Sequence, residues 1–214
     1  MNIIRAIKKT LLKVYNDFDA RDYPYISGSS RIDPGVKVYV PNNLVMGANT
    51  NIDSGAVIMN TRAKFIMKKY SGASVGLTVV TGNHLSIPGR WFKNISDKNK
   101  DLLSENEVMD KDVIVEEDVW IATNVTLLSG SIIGRGSEIG SGSVVRGSVP
   151  PYAIVIGNPA KVVGFKFTPE EIIEHEKALY PEEERLSLQL LEKNYNKYFI
   201  SRIKEIKEFT RLSL

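Results

Sequence analysis

Residues 115–150 read VEEDVWIATNVTLLSGSIIGRGSEIGSGSVVRGSVP. An aliphatic residue recurs at every sixth position of this stretch: Val115, Ile121, Leu127, Ile133, Ile139 and Val145. Four residues after each stands a small or β-branched one: Val119, Val125, Ser131, Ser137, Ser143 and Val149. An amphipathic helix spaces its apolar residues by three and four, and a half-buried strand alternates. A period of six satisfies neither. It fits one short strand and one turn, repeated so that each aliphatic side chain stacks on its equivalent one coil away, the hexapeptide signature of a parallel β-helix. A single rung is too thin to bury its own apolar face, so its neighbours must supply the core. Gly134 and Gly140 directly follow the aliphatic residue, at points where backbones pack closely or turn.

Upstream, the same spacing links Ile32 to Val38, and Met46 to Ile52 and Ile58, with Gly47 and Asp53 in the small or acidic slot. Register slips between Val38 and Met46 and again near Lys64, then resumes at Ala73 and Val79. Slips of this kind read as altered corners or short insertions. From Leu85 to about Asp112 the period disappears. This segment leaves immediately after Thr81-Gly82-Asn83-His84, and a long irregular excursion inside a regular fold is a functional loop or a disordered one. Its departure point favours function.

The flanks differ in kind. Residues 2–16 carry Ile3, Ile4, Ile7, Leu11, Leu12 and Tyr15 at helical spacing with lysines and an arginine elsewhere. A helix capping the open end of the solenoid is the preferred reading, ahead of a basic segment that touches membrane. Downstream, Pro150-Pro151-Tyr152-Ala153 and Gly157-Asn158-Pro159-Ala160-Lys161 end the repeat. The tail then turns helical. Thr168-Pro169-Glu170-Glu171 is a capping box with proline at the first helical position. A second start is expected at Pro181-Glu182-Glu183, and Ile172, Ile173, Leu186, Leu190, Ile203, Ile206 and Phe209 are expected to face the solenoid or one another. The acidic run Glu182 to Glu184 reads as helix N-terminal charge. The plan is an all-β chain: an N-terminal helical cap and linker over 1–30, a repeat domain over 31–165 with its loop at 85–112, and a helical tail over 166–214.

Composition narrows the functional classes. The formal charge of +3 over 214 residues is too mild to argue for nucleic acid. The cysteine count of zero excludes a disulfide framework, a cysteine-ligated metal and a cysteine nucleophile, and accords with a reducing cytoplasm. No apolar run approaches a membrane span, and a cytoplasmic location is expected.

Three features in order resemble the hexapeptide-repeat acyltransferases that use acyl-CoA. They are Thr81-Gly82-Asn83-His84 with its loop, Val119-Trp120-Ile121-Ala122-Thr123-Asn124-Val125-Thr126, and Pro150-Pro151-Tyr152-Ala153 running into Gly157-Asn158-Pro159-Ala160-Lys161. The similarity spans about residues 30–165 and lies with maltose and galactoside O-acetyltransferases, xenobiotic acetyltransferases and capsular polysaccharide O-acetyltransferases. It implies a left-handed parallel β-helix, a homotrimer with active sites between subunits, and a CoA path lined by Trp120, Ala122, Ser141, Gly142, Pro159 and Lys161. One departure stands out: the family often has Gly where this chain has Ala122. The coil tolerates Ala there, but a thioester held close to that backbone would be slightly crowded.

Acetyl transfer needs a base that takes the acceptor's proton as it attacks the thioester, and imidazole titrates in the right range. The chain holds two histidines. His84 stands at the brink of the long loop, within the family motif; His175 lies in Glu174-His175-Glu176 and reads as a solvated helix residue. His84 is therefore the candidate general base. Without cysteine, direct attack in a ternary complex with acetyl-CoA is the simpler route. A backbone N–H of a neighbouring rung would hold the oxyanion. The phosphates of CoA suit Lys161, with Arg146 and Lys166 as weaker candidates. The acceptor pocket would combine Asn83 and Trp91 with Tyr25 or Asp33. Trp91 can stack on a sugar face or pin the loop to its own scaffold. The acceptor is expected to be a hydroxyl of a sugar or glycan precursor; an amino sugar or a hydroxylated antibiotic is the alternative. A zinc enzyme of the γ-type carbonic anhydrase kind needs three histidines at an intersubunit site, so no metal is expected. A non-catalytic scaffold is the remaining class.

Overall fold

The structure, a computed structural model, describes residues 22–103 and 109–211. The expected N-terminal helical cap lies outside those residues. From Arg31 the chain runs as short strands in sets of three. The first set is β1 (Arg31–Ile32), β2 (Lys37–Val38) and β3 (Leu44–Met46). The second is β4 (Asn51–Ile52), β5 (Val57–Met59) and β6 (Phe65–Met67), and the third is β7 (Gly72–Ala73), β8 (Thr78–Val80) and β9 (Val113–Val115). The fourth is β10 (Trp120–Ile121), β11 (Thr126–Leu128) and β12 (Ile132–Ile133), and the fifth is β13 (Glu138–Ile139), β14 (Val144–Val145) and β15 (Ser148–Val149). A final pair, β16 (Ala153–Ile156) and β17 (Lys161–Phe165), ends the array with an antiparallel step. Every other pairing joins a strand to the one three places on, in parallel, which makes three sheets. The register puts like on like: Ile52 on Ala73, Ile121 on Ile139, Leu127 on Val145.

The period of six is the cause of this arrangement. All six aliphatic positions of residues 115–150 are buried, and they share one core with the inward residues of all three sheets. The small residues four places on are buried as well, and their hydroxyls find partners. Ser131 donates to the carbonyl of Val145 at 3.1 Å, and Ser137 to that of Pro150 at 3.0 Å. A buried hydroxyl must be satisfied, and here the next rung's backbone does it. Gly134 is demanded by close approach: a Cβ there would lie 2.6 Å from the nitrogen of Pro151.

The slips of register have a common place. The first corner, after each strand of the β1-to-β16 sheet, is always four residues long: 33–36, 53–56, 74–77, 122–125 and 140–143. The second corner, between the β2-to-β14 and β3-to-β15 sheets, spans 39–43, 60–64, 81–112, 129–131 and 146–147. The large changes of length are collected there, including the long loop, while the third corner shortens only once, to three residues at 150–152. A 3-10 turn at Pro41–Asn43 accounts for the slip between Val38 and Met46.

The tail carries α1 (Pro169–Leu179), α2 (Leu188–Tyr198) and α3 (Ile203–Arg211). The capping box forms as read: Thr168 accepts from the N–H of Glu171, and the Glu171 carboxylate accepts from the N–H of Thr168 at 2.8 Å. The expected helix start at Pro181 is corrected. Glu182–Glu184 makes only a 3-10 turn, and α2 begins after Ser187, whose side chain accepts from the N–H of Leu190. Leu190 is exposed, and Leu191 is the residue this helix buries. A buried carboxylate fastens α1 to the coil. Glu176 accepts from the Tyr152 hydroxyl at 3.0 Å, from Arg135 at 3.2 Å and from the N–H of Leu186 at 2.7 Å. Burial, and then this carboxylate, push the Tyr152 hydroxyl well above its ordinary pKa. Among the described residues no helix is long and apolar enough to cross a membrane.

Candidate functional site

The first corner gathers the residues expected along the CoA path. Backbone hydrogen bonds stack it: Asp33 N–H donates to Ile52, Asp53 to Ala73, Ser74 to Ile121, Ala122 to Ile139 and Gly140 to Val155. The third residue of each turn has a positive φ, taken by Asn124 at 56° and by glycine in the other four, including Gly142 at 72° with open space above it. The turn Gly157–Ala160 lies on top. Gly157 N–H donates to the Ser143 hydroxyl, Val144 N–H to the Gly157 carbonyl, and Ala160 N–H to the Val144 carbonyl. Ser141, Gly142, Pro159 and Lys161 thus meet at one edge, whereas Trp120 opens β10 two residues before its corner begins and is 55 % exposed between Gly72 and Glu138. Ala122 is also at this corner but only 4 % exposed, so its methyl offers little surface to a ligand.

The second corner carries His84. Thr81 is buried and returns its hydroxyl to the carbonyls of Met59 and Ala63, and the chain then leaves the coil. Both ends of the loop are tied at their root. Lys111 N–H donates to the Thr81 carbonyl, and Asn83 N–H donates to Asp110 Oδ1 at 2.8 Å. Asp110 is nearly buried and also receives Lys100 Nζ at 3.0 Å and pairs with Arg62 Nε at 3.3 Å. Arg62 in turn grips Asp101 at 2.6 Å. Two 3-10 turns, Phe92–Asn94 and Asp97–Leu102, give the described part of the loop its shape. His84 is exposed and rests against Phe92, with ring centres 4.4 Å apart.

Several sequence expectations change at this point. The Asn83 side chain donates to the Met109 carbonyl at 2.7 Å, so its amide is a loop fastener here. Trp91 is 82 % exposed, which removes the reading that it pins the loop to the scaffold. Tyr25 runs beside β3, its carbonyl accepting from Met46 N–H, and Asp33 pairs with Arg31 at the first corner. Neither is at the loop root with His84. Arg146 is exposed at the second corner, whereas Lys166 is paired with Glu138 at 3.6 Å. His175 is only partly solvated: its ring packs on Phe167 and edge-on to Tyr152, and its Nε2 is buried 3.9 Å from Asp118. Arg62 and its partners Asp101 and Asp110 escaped the sequence reading because these contacts join residues far apart in the chain, with no local pattern to mark them. Among the described residues no group of three His, Cys, Asp or Glu is placed to hold a metal ion.

One chain therefore keeps its candidate groups on two edges of the same sheet. From Gly76 at the first corner to Thr81 at the second is roughly 16 Å of extended strand, at about 3.3 Å per residue.

This is the hexapeptide-repeat fold, and comparison with known proteins agrees. Residues 112–147 match the family model of the bacterial transferase hexapeptide, six repeats. The structure is similar to a hexapeptide-repeat-containing acetyltransferase from Vibrio cholerae O1 biovar eltor complexed with acetyl coenzyme A. The TM-score is 0.58 at 22 % identity, covering 72 % of this chain and 81 % of that one. It is also similar to a maltose O-acetyltransferase from Clostridium difficile 630, with TM-score 0.55, 19 % identity, and coverage of 74 % and 83 %. A galactoside acetyltransferase in complex with coenzyme A gives 0.50 at 18 % identity, covering 86 % and 88 %. No curated protein matches the sequence.

Proposed function

We propose that the chain is an acetyl-CoA-dependent O-acetyltransferase that acts on a hydroxyl of a sugar or glycan precursor. The observation that carries this reading is the gathering of Ser141, Gly142, Pro159 and Lys161 on one corner, with Trp120 exposed on a strand that leads into that edge, opposite a corner that offers an exposed imidazole. Solved structures of this fold include acetyltransferases complexed with acetyl-CoA or CoA, and they supply the donor. In the proposed assembly the strands wind left-handed and three copies associate in the cytoplasm. The first corner of one copy then faces the second corner of its neighbour, closing the gap that a single chain leaves open.

At such an edge the thioester lies along the first corner, its phosphorylated end at Lys161. His84 of the adjoining copy accepts the proton of the acceptor hydroxyl as that oxygen bonds to the thioester carbon. The carbon–sulfur bond then breaks, and the imidazolium returns its proton to the leaving thiolate. A backbone N–H of the corner supports the oxyanion. Asn83 fastens the loop, and Trp91 offers an aromatic face to a sugar ring.

The test is thiol release from acetyl-CoA in the presence of a panel of sugars and amino sugars. Release with hydroxyl acceptors supports O-acetylation, and release confined to amines overturns it in favour of N-acetylation. Mixing His84→Ala copies with Lys161→Gln copies then examines the shared site. If it lies between copies, mixed assemblies recover part of the activity that each variant has lost. If it lies within one chain, none returns.

A further inference from the structure

Lys161 is already engaged. Its Nζ lies 3.4 Å from Glu205 Oε1 and 5.5 Å from the ring centre of Phe209, both on α3. Glu205 also accepts two N–H bonds from Arg202, at 3.0 and 2.9 Å. Phe209 touches the same turn, since a Cβ on Gly157 would lie 3.2 Å from its Cζ. One carboxylate therefore sits between an ammonium and a guanidinium, directly over the turn Gly157–Lys161. The hydrogen bonds from Arg202 hold the Glu205 carboxyl below its ordinary pKa, so it is charged at neutral pH.

A carboxylate in this place uses the same donors that a phosphate would: a compact ammonium and a planar fork. Two cations around one carboxylate leave an excess of one positive charge, which favours exchange for the more highly charged anion. Exposed ion pairs are also weakly held, so the exchange is easy. We propose that Lys161 and Arg202 form a two-cation seat for a phosphate of acyl-CoA, and that Glu205 is the internal carboxylate which this phosphate displaces. Arg202 becomes a phosphate-binding residue, and α3 becomes part of the donor site. This inference rests on the donor-corner reading of Lys161.

Titration calorimetry on the full chain with CoA and with dephospho-CoA tests it. Glu205→Gln is expected to bind CoA about two- to fivefold more tightly, the range an exposed ion pair supports. Arg202→Gln and Lys161→Gln are expected to bind about tenfold more weakly, with Arg202→Lys recovering part of the loss. Effects that persist with dephospho-CoA assign the seat to the diphosphate, and effects that vanish assign it to the 3′-phosphate. Wild-type binding left unchanged in Arg202→Gln, or weakened in Glu205→Gln, would overturn the seat while leaving the donor reading intact. No CoA binding by the wild-type chain would overturn both.

Discussion

The first and second corners of this coil are built from the same repeat and treated differently. At the first, every turn is four residues long with a left-handed residue in third place, and backbone hydrogen bonds stack the turns. At the second, the turns vary from two residues to a loop that includes two 3-10 turns. A uniform edge suits an extended ligand that runs along it, because each rung offers the same backbone groups. An edge that tolerates insertion suits a reactive side chain, because a loop can be lengthened there without disturbing the core. In this chain the candidate donor residues lie on the uniform edge and the imidazole on the variable one.

The largest effect should come from removing the imidazole. His84→Ala is expected to lower kcat by about two to four orders of magnitude, with the circular dichroism spectrum and melting temperature unchanged. An unaltered rate would end the assignment of chemistry to the second corner. Next comes the anchor of the tail. Glu176→Ala leaves Arg135 and the Tyr152 hydroxyl without their carboxylate, and a loss of about 3–5 kcal/mol is expected in denaturant unfolding. If stability is unmoved, the tail is not fastened through this group. A subtler variant separates loop from coil. Asp110→Asn loosens the grip on Lys100 and Arg62 and should cost about tenfold in kcat, with a small change in melting temperature. Equal losses in both would mean that the loop root is part of the core.

The smallest effect is one of pH. Burial opposes ionisation of Glu117, but a backbone hydrogen bond and the cations Lys68 and Arg135 outweigh it, leaving its carboxyl below the ordinary range. A carboxyl depressed in the folded state contributes stability above its unfolded pKa of about 4.3, and that contribution is lost as pH falls through the folded value. Glu117→Gln should therefore melt lower than wild type near neutrality, the gap closing below about pH 4. A gap that stays constant with pH would show that the charge of Glu117 is not what the fold uses.

Much of this architecture was open to reading in one dimension. The period of six places Ile121, Ile139 and Val145 inward wherever the coil goes, because each position's environment repeats with each hexad. Thr168 to Glu171 announces a helix start through contacts three residues apart. The failures are equally physical. Pro181-Glu182-Glu183 carries a local start signal, yet the chain there is bent to bring Leu186 N–H and the Glu184 carbonyl to the Glu176 and Arg135 side chains. His175 looked solvated because a helical position alone does not say which face meets Tyr152 and Phe167.

The residue pattern by itself determined the repeating strand, its buried face and the capped tail, since each depends on neighbours within a few positions. Only the tertiary structure decided which corner each candidate residue occupies, because that depends on how insertions at residues 39–43, 60–64 and 81–112 add up around the coil. It alone brought Lys161 to the local Arg202–Glu205 pair, and Arg62 to Asp110. Such ion pairs can bridge long stretches of chain, and charge carries no periodicity that would reveal its partner.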